Sequence, residues 1–367
     1  MAAAPILPRT VEGSAPRLWV PRQVLVTPDA LRWEHGRRVV ERSARLGSEV
    51  VELKNNRLTG LRGGTEREEY VRAKTTLAVV IASESARKLQ PIPPSADWQF
   101  HIAEGCPAHC QYCYLAGSLS GPPVTRVYAN LPEILAGLPK FLGTGQVTSA
   151  SEDRRNEGTT FEVSCYTDPL AIEHLTGSLS ECIRSFGAWQ ASAQLRWTTK
   201  FNAVDHLLTI PHARRTRMRF SVNAQSVARS FEGGTASVAA RLEAMRRVAF
   251  AGYPIGLTIA PIMPVENWRE EYRELLRKAA AALTGVPDLD LTAEMITHRF
   301  TQKSKLVQLS WYPRTTLSLD EELRTKKMTK FGSPKFVYPK HVAGEMRSWF
   351  ESALAEELPS ARILYWT

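Results

Sequence analysis

From residue 98 to residue 296 the chain repeats one instruction: a short run of apolar and β-branched residues, a turn, then an amphipathic helix. Strand-length runs fall at 98–102, 160–164, 195–199, 217–222, 253–262 and 290–296, and helical spacing falls at 131–141, 170–187, 204–208, 237–251 and 268–283. Asn130 and Pro132 supply a cap and a first-turn proline for the first of these helices, while Pro261 and Pro264 stop the fifth strand. Strands separated by helices pair in parallel through right-handed crossovers, so the sequence predicts a curled α/β sheet with its functional residues at the strands' carboxyl ends. Cys106, Cys165, Lys200, Asn223 and Arg299 all follow such ends. The six units found are fewer than the eight of a closed barrel.

The first strand runs into Gly105-Cys-Pro-Ala-His-Cys-Gln-Tyr-Cys-Tyr114, where Cys106, Cys110 and Cys113 stand in the spacing C-x3-C-x2-C. Three thiolates from one tight loop reach three corners of a cubane [4Fe-4S] cluster and leave the fourth iron open to a small molecule. The alternative is structural zinc, with His109 or a distant cysteine closing a tetrahedron, although such sites usually come as two short ligand pairs. The loop resembles that of radical S-adenosylmethionine enzymes, in which the open iron holds the amino and carboxylate groups of that cofactor.

Composition narrows the classes. Five cysteines, three of them within eight positions, fit a metal site in a reducing compartment better than a disulfide framework. The amino-terminal stretch lacks the basic-then-apolar order of a signal peptide and no run of about 18 apolar residues occurs, so the expectation is a cytoplasmic protein that does not span a membrane. The formal charge of +10 points to a polyanionic partner. Much of it lies at 299–340, which holds ten Lys or Arg against three Asp or Glu. There the sequence predicts a β-hairpin over 305–319, with Trp311 and Tyr312 near its turn and Arg299, Lys303, Lys305 and Arg314 around it. Such a hairpin would neutralise phosphates and support a splayed base, the alternative being a solvated basic surface. Residues 1–90 read as an appendage, 91–300 as the barrel, and 301–367 as a basic hairpin with a closing helix.

A second constellation narrows the family. Phe161-Glu-Val-Ser-Cys-Tyr-Thr-Asp168 is followed by Ile172-Glu-His-Leu-Thr176, then by Thr199-Lys200-Phe201, Val204-Asp-His-Leu-Leu208, Phe220-Ser-Val-Asn223, Ala251-Gly-Tyr-Pro254, Ala260-Pro-Ile262, Thr297-His-Arg-Phe-Thr301, Trp311-Tyr-Pro313 and Lys330-Phe-Gly332. Taken in order, these resemble the spore photoproduct lyase family, radical S-adenosylmethionine enzymes that repair the thymine dimer of ultraviolet-irradiated spore DNA. The resemblance runs from about residue 70 to the end of the sequence.

It implies an open, partial (β/α)6 barrel of the TIM type with an N-terminal appendage and a C-terminal β-hairpin extension. It implies a [4Fe-4S] cluster on Cys106, Cys110 and Cys113, and contacts to S-adenosyl-L-methionine from Thr167, Lys200, Ser221 and Ala260. The activity implied is reversal of 5-thyminyl-5,6-dihydrothymine to two thymines through a 5′-deoxyadenosyl radical, with Cys165 donating the quenching hydrogen and Tyr112 and Tyr114 relaying the radical. By residue type alone Cys165 is equally a small buried hydrophobe and the tyrosines are packing. The partners implied are double-stranded DNA carrying a thymine dimer and an electron donor such as flavodoxin or ferredoxin, with the enzyme a monomer. A radical enzyme acting on a different lesion or substrate is the alternative.

Two features depart from the family pattern. Tyr166 stands where the family usually has Thr in A-C-T-S-D, and either narrows the pocket or carries a radical itself. The polar insert 143–159 is longer than usual. Asp168 and His174 read as structural, and Cys182 as core.

Overall fold

The computed structural model describes residues 16–119, 121–148, 151–328 and 334–367. Among these, no helix is long and apolar enough to cross a membrane. The first sheet begins with β1 (Gln23–Val26), β2 (Glu49–Glu52) and β3 (Thr76–Val80), linked by the helices Glu34–Arg45 and Glu66–Lys74. The latter is started by a capping box, Thr65 accepting from the Glu68 amide while Glu68 reaches back. β4 (Gln90–Ile92) and β5 (Ala96–Phe100) form an antiparallel pair that opens a second sheet. The chain then passes through β6 (Ala103–Glu104) and β7 (His109–Cys110), and returns to the first sheet as β8 (Thr125–Tyr128), giving the order β2-β1-β3-β8-β6. That sheet draws strands from both sides of residue 90, and its exit places the cysteine loop between the two sheets.

The second sheet is the barrel. β9 (Thr159–Val163), β10 (Ala193–Thr199), β11 (Thr216–Val222), β13 (Ile255–Ile262) and β14 (Leu291–Thr297) follow β5 in parallel register. The short β12 (Glu232–Gly233) leaves this sheet to pair with β7. β15 (Thr325–Met328) and β16 (Pro334–Val337) form a separate antiparallel ribbon, and β17 (Ala361–Trp366) adds parallel to β14. The sheet order is β17-β14-β13-β11-β10-β9-β5-β4, an open curl with the antiparallel β4 at one edge. All six expected barrel strands are present; β17 is an addition that sequence reading did not supply.

The helices differ in detail. The expected helix at 170–187 is three pieces, Pro169–Ile172, Glu173–Thr176 and Ser178–Ala188, broken where Gly177 takes φ 68°. The expected helix at 204–208 is one 3-10 turn, Asp205–Leu207. The larger correction concerns 305–319. The predicted hairpin is instead the helix Gln302–Trp311, capped by Thr301 and Ser304. Its apolar pattern is inverted, with Leu306 64% and Leu309 40% exposed while Ser304 and Gln308 are buried, which hides a helix from any periodicity argument. The real ribbon lies at β15 and β16, tied back by an antiparallel bridge between Phe300 and Phe336.

The concave side of the barrel is polar. On β11, Arg217 and Arg219 alternate with Met218, Phe220 and Val222, all buried. Arg219 ion-pairs with Glu162 on β9 and, at 3.1 Å, with Glu294 on β14, crossing the sheet from inside. Around the outside, Trp197, Phe161, Phe186 and Phe220 are fully buried with the helices.

A buried hydrogen bond joins the first sheet's helix layer to the barrel's. His35 on the helix Glu34–Arg45 is 2.9 Å from the Ser178 hydroxyl, and burial, helped by Arg38 and Arg42, lowers its pKa from 6.5 to about 4. The folded state thus holds it neutral where an unfolded chain binds a proton. Stability is full above about pH 6.5 and falls as pH drops toward 4, by up to about 3 kcal/mol at 1.4 kcal/mol per unit. His35→Gln should flatten that acid slope in urea titrations run between those two pH values, and an unchanged slope would show that other groups carry it.

Candidate active site

The cysteine loop is fixed from three directions. Gly105 adopts φ 75°, and a side chain there would strike the Val124 carbonyl. From the helix Glu66–Lys74, the buried Lys74 ammonium donates to the carbonyls of Cys106 and Ala108, each at 2.6 Å. From the barrel side, β12 pairs with His109 and Cys110, and the Gln111 amide donates to Phe231 at 2.9 Å. Gln308 of the helix Gln302–Trp311 closes the third side by donating to the Cys113 carbonyl at 3.3 Å.

None of the three thiols is in a disulfide. Burial pushes Cys106 up to about 12 and raises Cys110 and Cys113, while the charges of Lys74 and Lys200 pull the other way. Among the described residues, no three His, Cys, Asp or Glu side chains converge on a point where one metal ion would sit. His109 turns its Nδ1 to the Tyr70 hydroxyl at 2.8 Å. The donor set is therefore three separated sulfurs with two ammonium groups near them, which suits a multi-iron cluster of negative charge better than a closed zinc tetrahedron.

At the carboxyl ends of the strands, Lys200 after β10 points its ammonium to Glu232 at 2.8 Å and to the Ala260 carbonyl at 3.2 Å. Ser221 on β11 reaches the same carbonyl at 3.5 Å. Glu232 also accepts from the Tyr112 hydroxyl and ion-pairs with Arg241 at 2.6 Å. Burial opposes its charge, but Lys200 and Arg241 overcome that and hold its carboxyl down at about 2. Thr167 has a buried hydroxyl with no partner. An orphaned hydroxyl, an ammonium and a strand-end carbonyl, all at the carboxyl ends of the strands, are groups that a zwitterionic ligand would complete.

Cys165 follows β9 through Ser164, which takes φ 55° and accepts from the amides of Ile102 at 2.9 Å and Ala103 at 3.3 Å. The thiol is partly buried and donates to Gln99 Oε1 at 2.7 Å. Burial and the Glu162 carboxylate raise its pKa well above the usual value, so it stays S–H at neutral pH. The two tyrosines flanking Cys113 diverge. Tyr112 turns to Glu232 and lies under the Lys200 ammonium, 5.6 Å from its ring centre. Tyr114, 56% exposed, lies 6.5 Å from the Tyr166 ring, beside Cys165 in the chain.

The residues read as DNA contacts separate into two groups. Arg299, Lys303 and Arg314 are exposed, while Lys305 is engaged with Glu321 at 3.0 Å. Trp311 and Tyr312 are not at a turn tip: Trp311 stacks on Tyr70 with centroids 4.7 Å apart, and the Tyr312 hydroxyl meets that of Tyr70. They fasten the helix Gln302–Trp311 to the first sheet's helix. Sequence reasoning missed Lys74, Tyr70, Glu232 and Arg241, none of which lies in a motif with a chemical signature. Asp168 accepts from Thr199 at 2.9 Å and from the Lys200 amide at 2.7 Å, His174 lies 2.8 Å from the Trp19 carbonyl, and Cys182 is fully buried, as structural roles require.

The family model described as spore photoproduct lyase matches residues 19–367. The chain belongs to the spore photoproduct lyase family. Relatives so named include those of Geobacillus sp. (strain Y412MC61), 40% identical over 350 residues covering 95% of this chain and 99% of the relative, and of Bacillus subtilis (strain 168), 38% identical with the same coverage. That of Clostridium acetobutylicum is 32% identical over 94% of this chain and 98% of its own. Among solved structures, a spore photoproduct lyase double mutant with bound AdoMet and dinucleoside spore photoproduct has TM-score 0.87 at 37% identity, covering 96% of this chain and all of that one. A spore photoproduct lyase complexed with the dinucleoside alone matches at TM-score 0.87 and 38% identity over the same share of both chains.

Lys74→Met should loosen the cysteine loop of this family member, because two carbonyls lose a charged donor, at a cost of about 1.5–3 kcal/mol each. Iron and sulfide retained per chain after anaerobic reconstitution and desalting are expected to fall to less than about half, through faster cluster loss from a less rigid loop. Full retention would show that Lys74 is dispensable to the site.

Proposed function

We propose that this protein is a radical S-adenosylmethionine lyase that reverses 5-thyminyl-5,6-dihydrothymine in DNA to two thymines. The observation that carries the reading is the Cys165 thiol, held protonated at a strand end in the same mouth as the cysteine loop. Cys106, Cys110 and Cys113 would hold a [4Fe-4S] cluster, and Thr167, Lys200, Ser221 and the Ala260 backbone would hold S-adenosyl-L-methionine. When bound, these supply a 5′-deoxyadenosyl radical that removes a hydrogen atom from the lesion.

The protein's own part begins with orientation. Lys200 offers its ammonium to a carboxylate, and Thr167 its unpartnered hydroxyl, while Glu232 fixes the lysine side chain in place. Once the bridge between the thymines has opened, Cys165 gives its hydrogen atom to the product and keeps the unpaired electron on sulfur. A weak S–H bond on a polarizable atom suits that step, and a thiolate would have no hydrogen to give. Tyr114 then gives its phenolic hydrogen atom to the sulfur and takes one from Tyr112, and Tyr112 in turn takes one from the 5′-deoxyadenosine formed at the start, so that the thiol and both phenols are restored. Arg299, Lys303 and Arg314 with the ribbon β15–β16 would bear on the phosphates of a duplex, and a bulky, poorly stacked dimer is cheaper to extrude than an intact pair. A reduced flavodoxin or ferredoxin would supply the electron.

The test is anaerobic. Reconstituted protein, reductant and S-adenosylmethionine incubated with dinucleoside spore photoproduct should release thymidylyl-thymidine; cofactor cleavage without that product would assign the site to another substrate. Cys165→Ala is expected to consume the lesion but to give thymidylyl-thymidine as a minor product beside wrongly quenched adducts, read by chromatography of the products. Full-rate, clean repair by that variant would remove Cys165 from the mechanism.

A further inference from the structure

The Ser164 turn does more than present a thiol. Its amide donates to the Phe100 carbonyl at 2.7 Å and its hydroxyl accepts from Ile102, so it grips the backbone on both sides of His101. The left-handed conformation of Ser164 then carries the chain through Cys165 to Tyr166, whose ring stacks on that same histidine with centroids 5.0 Å apart and planes 19° apart. Burial lowers the His101 pKa and so favours the neutral imidazole under Tyr166, against the nearby Glu104 carboxylate, which favours the charged form. Beyond Tyr166, at 6.5 Å and tilted by 47°, stands the half-exposed Tyr114. The result is an aromatic wall at the strand ends, partly open to solvent, with the hydrogen-donating thiol one residue from its central ring.

We infer that Tyr166, braced by His101, is the stacking surface that seats a base of the extruded lesion against Cys165. The inference rests on the repair reading of this site. Bases taken out of a duplex are held between aromatic faces, and an aromatic already packed on one side loses little freedom when it receives a base. The ring does this work. Its hydroxyl is not needed, which separates a stacking role from a radical-carrying one.

Binding is the decisive measurement, made on the full-length, cluster-loaded protein with S-adenosylmethionine and no reductant, so that nothing turns over. The probe is dinucleoside spore photoproduct. Tyr166→Ala should raise its Kd about tenfold or more, the range given by loss of one base–aromatic stack. Tyr166→Phe should stay within about twofold of the parent, and His101→Leu, which keeps Tyr166 but replaces its brace, should fall between the two. S-adenosylmethionine binding serves as the control for an intact mouth and should not move in any of the three. Unchanged lesion binding by Tyr166→Ala overturns the inference, as does a loss in Tyr166→Phe equal to that in Tyr166→Ala. A parent protein that binds the dinucleoside but never converts it would sink the proposed function and leave the stacking result standing; a parent that does not bind it sinks both.

Discussion

Glu232 shares its two buried oxygens among Tyr112, Lys200 and Arg241, and through them joins parts of the chain that have little else in common. Tyr112 belongs to the cysteine loop, Lys200 to the end of β10, and Arg241 to the helix Val238–Phe250, while Glu232 itself sits on the short β12 that pairs with Cys110. Removing Glu232 itself would leave the buried Arg241 without its carboxylate, a loss of about 3–5 kcal/mol in comparable cases. The position of the loop relative to the strand ends is thereby set by electrostatics in addition to the packing of Cys106, Cys110 and Tyr112 against the core. Arg241 extends the tie by donating to the Ser221 carbonyl at 3.0 Å and to Thr235 at 2.7 Å. Four of the residues expected to touch cofactor or carry a radical are thus fixed by one carboxylate or its immediate neighbours.

A similar principle governs the barrel interior. A closed barrel fills its centre with branched apolar side chains, but this sheet is open and has no opposite wall to pack against. Arg219 bridges Glu162 and Glu294, and Ser95 donates to Glu162 at 2.6 Å while accepting from Arg219 at 2.7 Å. Arg196 donates to the Ser95 carbonyl and to Glu157. Each charge is paired and hydrogen-bonded, the condition under which burial is tolerated. The arrangement gives the mouth a rigid polar floor, and Glu162 in that floor is one of the groups that keep Cys165 protonated.

What could be read in the sequence follows from which forces act locally. The barrel strands were legible because buried parallel strands are continuous apolar runs bounded by turn residues, and the cysteine loop because metal ligation fixes spacing. The helix Gln302–Trp311 was not legible, since it buries Ser304 and Gln308 against the cysteine loop and leaves its leucines outside. β17 was hidden for a related reason: ARILYW is partly exposed at the sheet's edge and carries no turn signal that distinguishes it from a tail. Glu232 and Lys74 were invisible for a different one. Their roles are long-range ion pairs and hydrogen bonds, and nothing in Phe-Glu-Gly-Gly or Arg-Ala-Lys-Thr encodes a partner more than thirty residues away. The Trp311 and Tyr312 pair shows the converse limit: aromatics amid basic residues suggest a turn tip, whereas they close a helix and pack on Tyr70.

The chemistry asks opposite things of cysteines that share one mouth. In the proposed reaction Cys106, Cys110 and Cys113 would serve only as thiolates, and Cys165 only as a thiol. Burial raises all four, so burial does not separate them. The difference lies in the sign of the strongest charge beside each, which Asp168 at Cys106, Glu232 at Cys110 and Arg219 at Cys165 oppose more weakly. Lys74 and Lys200 stand near the loop and favour the anion that a cluster then makes permanent, whereas Glu162 stands near Cys165 and disfavours it, with the Gln99 carbonyl accepting the S–H. Asymmetry of charge across a few residues would therefore let one half-open barrel hold the proposed cluster loop and the proposed hydrogen donor side by side. Lys74 comes from the first sheet's helix, which makes that sheet part of the site's electrostatics as well as its scaffold.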